Sequence, residues 1–269
     1  MARVEPGPNR FGEALRHWRQ RRRLTQLALA LDAEVSARHL SFLESGRAKP
    51  SREMVLLLAS VLDVPLRERN MLLDAAGFAP IYRETDLGSG ELSEVRAALD
   101  FILTRQEPNP AIVMDRYSNV ILANDSSRRL MGHFIKNPSA VVVDGRLNAL
   151  RTVFHPEGLR PSIVNWDAVA RALLVRFERE IGFYGHDTKA TDLLRELRSL
   201  PGYSGSTVPE LTSPPPPLLP LELRHGEASL KFLTTIATFG TPLDVTVQEL
   251  RIESYFAANA EAERFLRDR

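Results

Sequence analysis

Residues 24–53, LTQLALALDAEVSARHLSFLESGRAKPSRE, constrain the fold more than any other stretch, because they force two short helices to meet across an abrupt break. Thr25 is a good helix N-cap, and Leu27, Ala28 and Leu31 recur at helical spacing until Asp32-Ala33-Glu34 interrupts the run. Ser36 caps a second helix almost at once. Val35 offers a side chain to bury in the turn, and Leu40 and Leu43 lie one turn apart on a face that must look inward. Ala37, Arg38, Ser41 and Phe42 fall on the opposite face.

The flanking sequence completes a helical bundle. Phe11, Leu15 and Trp18, at spacings of four and three, predict a first helix over residues 10–21, with Arg21-Arg22-Arg23 as its solvated end. Ser51 caps a fourth helix with Met54, Leu57, Leu58 and Val61 inward, and a fifth over 66–76 stops at Gly77. Charge is concentrated here. Residues 10–52 hold 10 Lys and Arg against 4 Asp and Glu, although the whole chain carries only +1. A basic patch of this kind releases counterions from a phosphate backbone as it docks.

Residues 9–80 resemble the lambda-repressor-like, or Xre-type, DNA-binding domain. Gln26 opens the first motif helix as in that family, and Glu44, Gly46 and Pro50 match its closing Glu-x-Gly-x-x-x-Pro. Where the family has glycine in the turn, this chain has Glu34 or Ala33. The resemblance implies binding to double-stranded DNA. Arg38 ranks first as a base reader, since a guanidinium fork can take both major-groove acceptors of guanine. Ala37, Ser41 and Phe42 are candidates for thymine-methyl or sugar contacts, and Ser36 stands at the same helix start. Thr25, Gln26, Arg47 and Lys49 suit phosphate. His39 either touches DNA or packs beside the helix.

At 269 residues and 43% hydrophobic content the chain is long enough for two domains, each with its own core. Residues 1–80 form the first, 81–90 a linker containing the polar RETDLGSG, and 91–269 the second. The GSG is not a nucleotide loop, since no strand precedes it. There is no cysteine, which removes disulfides and thiolate chemistry. No signal peptide or stretch of about 20 apolar residues is present, so a cytoplasmic protein without a membrane span is expected.

The second domain reads as α+β. Leu92, Val95, Leu99 and Ile102 mark a helix over 91–105, and AIVMDRYSNVILAN at 111–124 reads as a hairpin followed by a short helix. Strand, turn, strand, Asn and helix is similar to the opening of a PAS domain. Helices are expected near 125–131, 146–154, 166–181 and 188–199, and Pro214–Pro217 as an extended connector. Leu218–Arg224, Ser229–Phe239 and Val245–Phe256 read as three consecutive antiparallel strands. With the opening pair they make a five-stranded sheet, one face covered by helices.

Residues 146–181 resemble the ligand-binding domain of MmyB-like transcription regulators. The resemblance is carried by Asn148, Arg151, Phe154 and Pro156, by Asn165-Trp166-Asp167 opening a helix, and by Arg176, and extends over about 82–260. It departs after Leu211, where a proline run replaces the common family pattern. The resemblance implies a fatty-acid-like or similarly lipophilic effector, and with the DNA-binding domain placed ahead of it a homodimeric one-component switch is expected. Phe154, Trp166, Leu173, Phe177, Phe232 and Ile236 are candidate cavity-lining residues or plain core. Arg151 and Arg176 can pair with an anionic head group or with Asp167 or Glu180. No cofactor is expected: His133, His155, His186 and His225 lack metal-ligand spacing, and neither haem nor flavin signatures occur. No catalytic residues are expected either, as His-Glu-x-x-His, Gly-x-Ser-x-Gly and phosphate loops are missing. The competing reading gives the second domain only dimerisation or protein contacts, with no ligand.

Overall fold

The computed structural model describes residues 9–183, 187–201 and 217–267. Part of the proline run and His186 therefore lie outside the described residues. Two compact units emerge, one formed by Met1–Thr85 with Thr241–Gln248 and the other by Asp86–Gly240 with Glu249–Arg269.

The first unit is a bundle of α1 (Arg10–Arg21), α2 (Gln26–Asp32), α3 (Ala37–Glu44), α4 (Arg52–Val61) and α5 (Leu66–Ala75). Asn9, Thr25, Ser36 and Ser51 cap the first four, each side chain accepting from a backbone amide three residues on. Leu15, Trp18, Leu29, Leu40, Leu43, Leu58 and Leu73 form the common core. α1 and α3 approach closely at Gly12, where a Cβ would stand 2.5 Å from the Leu43 carbonyl oxygen. The turn between α2 and α3 is made by Glu34 at φ +52°, the left-handed conformation that glycine usually supplies.

Two inward faces differ from the periodicity. On α2 the buried side chains are Leu29 and Ala30, with Ala33 just beyond, whereas Leu27 and Leu31 are 61% and 69% exposed. On α4 the inward residues are Val55, Leu58 and Ala59, and Leu57 is exposed. Every residue from Leu27 to Leu31 is apolar, so a seven-residue helix has no polar stripe to set its rotation. Arg22, read as a solvated helix end, instead donates through Nε to the Leu62 carbonyl at 2.7 Å.

Residues 81–85, read as linker, are held by this unit. Asn70 Oδ1 accepts from the amides of Ile81 and Tyr82, and Arg67 pairs with Glu84.

In the second unit α6 (Ser93–Gln106) precedes the hairpin of β1 (Ala111–Met114) and β2 (Val120–Ala123). Asp115 Oδ1 closes the hairpin loop by accepting from Tyr117 and Asn119 amides, and Asn124 caps α7 (Asp125–Phe134). A small ribbon of β3 (Val142–Val143) and β4 (Arg146–Leu147) leads to α8 (Ala149–Phe154), α9 (Trp166–Phe183) and α10 (Thr188–Ser199). The chain then forms β5 (Leu221–His225), β6 (Ala228–Ala237), the short α11 (Val245–Glu249), β7 (Arg251–Ala257) and α12 (Ala260–Arg267).

The five-stranded sheet has the order β2-β1-β7-β6-β5, with every neighbouring pair antiparallel. Leu221, Leu223, Leu230 and Phe232 alternate onto one buried face, where they meet Leu130 and Phe134 of α7 and Ala262 and Leu266 of α12. Opposite-facing Glu222 and Lys231 pair at 3.2 Å. A separate helical core joins Leu150, Phe154, Ala170, Leu174, Phe177 and Leu197.

The third expected late strand is shorter than its β-branched sequence suggests. Residues 245–249 are helical, because Asp244 Oδ1 accepts from the Thr246 and Val247 amides and starts a turn. The ribbon and α12, capped by Asn259, have no counterpart in the sequence-derived expectations.

Candidate DNA interface and effector site

α3 and the segment after it bring three exposed cations together, Arg38, Arg47 and Lys49. Arg38 is exposed, and Ala37, Ser41 and Phe42 are half-buried. The Arg38 guanidinium lies 5.3 Å from the centre of the Phe42 ring and that of Arg47 lies 5.9 Å from it. The ring therefore limits the wandering of two long cations whose free rotation would weaken recognition. Arg47 and Lys49 are exposed in the segment after α3.

Behind this surface sits a buried charge. The Glu44 carboxylate takes Arg19 at 2.6 and 2.9 Å through both oxygens and Gln26 Nε2 at 2.8 Å, with Arg16 at 3.5 Å. Burial alone would raise the pKa of this carboxyl, but the hydrogen bonds from Arg19 and Gln26 outweigh it and hold the group below the usual glutamate range. α1, the start of α2 and the end of α3 are thereby tied together.

Three of the expected contact residues also make bonds within the unit. Thr25 and Ser36 hydroxyls accept from Ala28 and His39 amides, and Gln26 donates to Glu44. His39 is half-buried. For Lys49, replacement by alanine should weaken binding to all duplexes nearly evenly and reduce the salt slope by about 1, measured by titration across salt concentrations.

In the second unit, a cleft of about 330 Å³ is lined by residues of the hairpin loop, the ribbon, α8 and α10. Tyr117, Val143 and Leu193 give it apolar surface, and Arg151, Lys189, Asp192 and Glu196 give it charge of both signs. Asn148 organises this region. Its Nδ2 donates to the Tyr117 carbonyl and to Asn119, while its Oδ1 accepts the Arg151 amide and so caps α8. Arg151 pairs with Glu196, but its buried Nε has no hydrogen-bond partner. The Lys189 ammonium sits 4.6 Å from the Tyr117 ring centre.

Of the eight expected effector residues this cleft takes Arg151 alone. Phe154 and Phe177 are fully packed in the helical core, with Trp166 and Leu173 at its margin. Trp166 stands edge-on to Phe154 at 5.9 Å and donates its indole N–H to the Val153 carbonyl. Phe232 belongs to the sheet's buried face, and Ile236 is 39% exposed.

Arg176 lies 3.9 Å from Glu180 and 3.7 Å from Glu253. Burial pushes the Glu253 carboxyl up, and Arg176 partly offsets that cost. The acidic partner of Arg151 is Glu196, rather than Asp167 or Glu180.

Tyr117, Lys189 and Glu196 escaped the sequence-based selection because the cleft joins segments up to 79 positions apart, from Tyr117 to Glu196. The Asn-x-x-Arg spacing at 148–151 was the available signal, since it is also the geometry of an N-cap. Among the described residues no three His, Asp or Glu side chains gather as metal ligands, and no helix is long and apolar enough to cross a membrane.

Residues 95–268 match the family model of the MmyB-like transcription regulator ligand binding domain. The chain belongs to the MmyB-like transcription regulators. A helix-turn-helix model matches residues 15–69, covering the whole of α2 and α3. No curated protein matches the chain. A DNA-binding half ahead of an MmyB-like ligand-binding half makes this a ligand-regulated transcription regulator.

Proposed function

We propose that this MmyB-like regulator is a homodimer that reads a two-part operator through Arg38 and changes operator affinity when a lipophilic acid occupies the cleft beside Arg151. The partly unsatisfied Arg151 guanidinium carries the ligand assignment: a carboxylate would supply the acceptor its buried Nε lacks. Lys189 adds a second cation, and Tyr117, Val143 and Leu193 offer apolar contact to the remainder of the molecule. A volume near 330 Å³ lies at the small end of ligand sites, which favours a medium-length acid over a long one. The opening of hairpin, capping Asn124 and helix supports a PAS-like sensory module.

The eight-residue α3 can cover one half-site in a major groove, so a symmetric dimer would place two copies about 34–36 Å apart. Homodimer, ligand class and an intracellular location near DNA form one reading. Its test is thermal unfolding of the full chain with sodium decanoate. The melting temperature should rise with decanoate concentration, and Arg151→Ala should abolish most of the rise. No shift with the acid, together with no small molecule in an organic extract of the purified protein, would refute the effector assignment.

A further inference from the structure

Three peptide bonds, rather than one, pass between the two units: Thr85–Asp86, Gly240–Thr241 and Gln248–Glu249. The last two exist because the connection from β6 to β7 leaves its own unit and joins the DNA-binding one. Its attachment there is specific. Pro65, at the N-cap of α5, provides no side-chain cap, and the first amide of that helix, Leu66 N–H, donates to Gln248 Oε1 at 2.7 Å. Asp244 Oδ2 accepts from Thr85 Oγ1 at 2.7 Å, and the Val245 amide donates to the Arg83 carbonyl at 2.8 Å.

One peptide bond further on, Glu249 is anchored in the ligand-binding unit. Its Oε1 accepts from Arg116 Nη1 at 2.9 Å, and Arg116 Nη2 donates to Asp187 Oδ2 at 2.7 Å. The Arg116 side chain is only 4% exposed, so both bonds operate where water screens little. Asp187 is itself committed to the cleft wall. It caps α10 through the Ala190 amide and accepts from the Tyr117 hydroxyl at 3.1 Å. Tyr117 and five α10 residues, among them Lys189 and Glu196, line the cleft.

We propose that residues 244–249 are a relay in which Glu249 senses the cleft through Arg116 and Asp187 and Gln248 positions the start of α5. Displacing Tyr117 or the first turn of α10 shifts Asp187, then Arg116, then the short α11. The next residue back along the chain holds the amide that starts α5. α5 packs on α4 and α1, and α1 packs on α3. The signal the relay would carry rests on the cleft being the effector site, but the connection itself does not.

The test is hydrogen exchange of the full chain with neither DNA nor effector present, so its failure is distinguishable from failure of the ligand reading. Gln248→Ala should speed exchange of the peptide covering residues 64–70 by about fivefold, the loss of one cap. Gln248→Glu keeps an acceptor and should restore protection. Glu249→Gln, which preserves shape, should speed exchange at the start of α10 and also, by at least about threefold, at residues 64–70. The relay is overturned if Glu249→Gln changes residues 187–196 while 64–70 keep their original rate. It is equally overturned if Gln248→Ala leaves 64–70 unchanged.

Discussion

Replacing Glu44 with alanine should destabilise the DNA-binding unit by about 3–5 kcal/mol, the usual consequence of removing one partner from a buried ion pair. Two effects add. The Arg19 guanidinium, which donates to both carboxylate oxygens, is left in a largely buried position without its counter-ion. Gln26 also loses its acceptor at the start of α2. Small domains are stable by only about 5–15 kcal/mol, so this unit should unfold well before the other one. Urea unfolding of the full chain followed by circular dichroism would separate an early helical transition from a later one. A change below about 1 kcal/mol would mean that the pair is not buried as described.

The same carboxylate sets an acid limit. Its folded-state pKa lies below the unfolded value, so its stabilisation is complete above the ordinary glutamate range and is lost as pH falls through the folded value. The wild-type unit should therefore weaken on acidification below about pH 4.5. In Glu44→Gln that part of the pH dependence should vanish.

The second large effect is on sequence preference. Arg38→Ala should remove about 1–3 kcal/mol of discrimination at one base pair, a loss of about 5- to 150-fold, while leaving general affinity for DNA mostly in place. Arg38 is exposed and bonded to no core residue, so the variant should fold normally. Its guanidinium is steadied by the Phe42 ring, which Arg47 also approaches. Phe42→Leu should accordingly blunt the same preference more weakly. Selection from a randomised duplex library measures both, and an unchanged Arg38→Ala consensus would remove Arg38 from base reading.

The DNA-binding half was legible because its signals are local. Thr25, Ser36 and Ser51 cap helices at the positions where the sequence places them, and Leu40 and Leu43 face inward. The rotation of α2 was not legible. Leu27 to Leu31 are all apolar, and the choice between them was made by packing against α3 and the common core.

In the second half the strands and most helices followed periodicity, whereas residues 245–249 did not. Their valines and threonine favour a strand, but Asp244 and the packing of that segment with residues 66–85 impose a helix. The cleft was hardest to foresee. Large apolar residues such as Phe154 and Phe177 mark core and cavity alike, and the cleft itself is built from a loop, a two-residue ribbon and two helix faces. Only Arg151, held by its Asn148 cap, carried a readable signal.

A ligand-regulated DNA-binding protein requires its two halves to exchange free energy. The direct measurement is the affinity of the full chain for its selected operator with and without saturating decanoate, repeated with Arg151→Ala. Coupling between two sites in one protein is typically about 1–3 kcal/mol, so operator affinity should change by about 5- to 150-fold in the wild type and hardly at all in the variant. An operator affinity that stays constant while decanoate stabilises the protein would contradict that exchange, since the acid would then bind without distinguishing the two states.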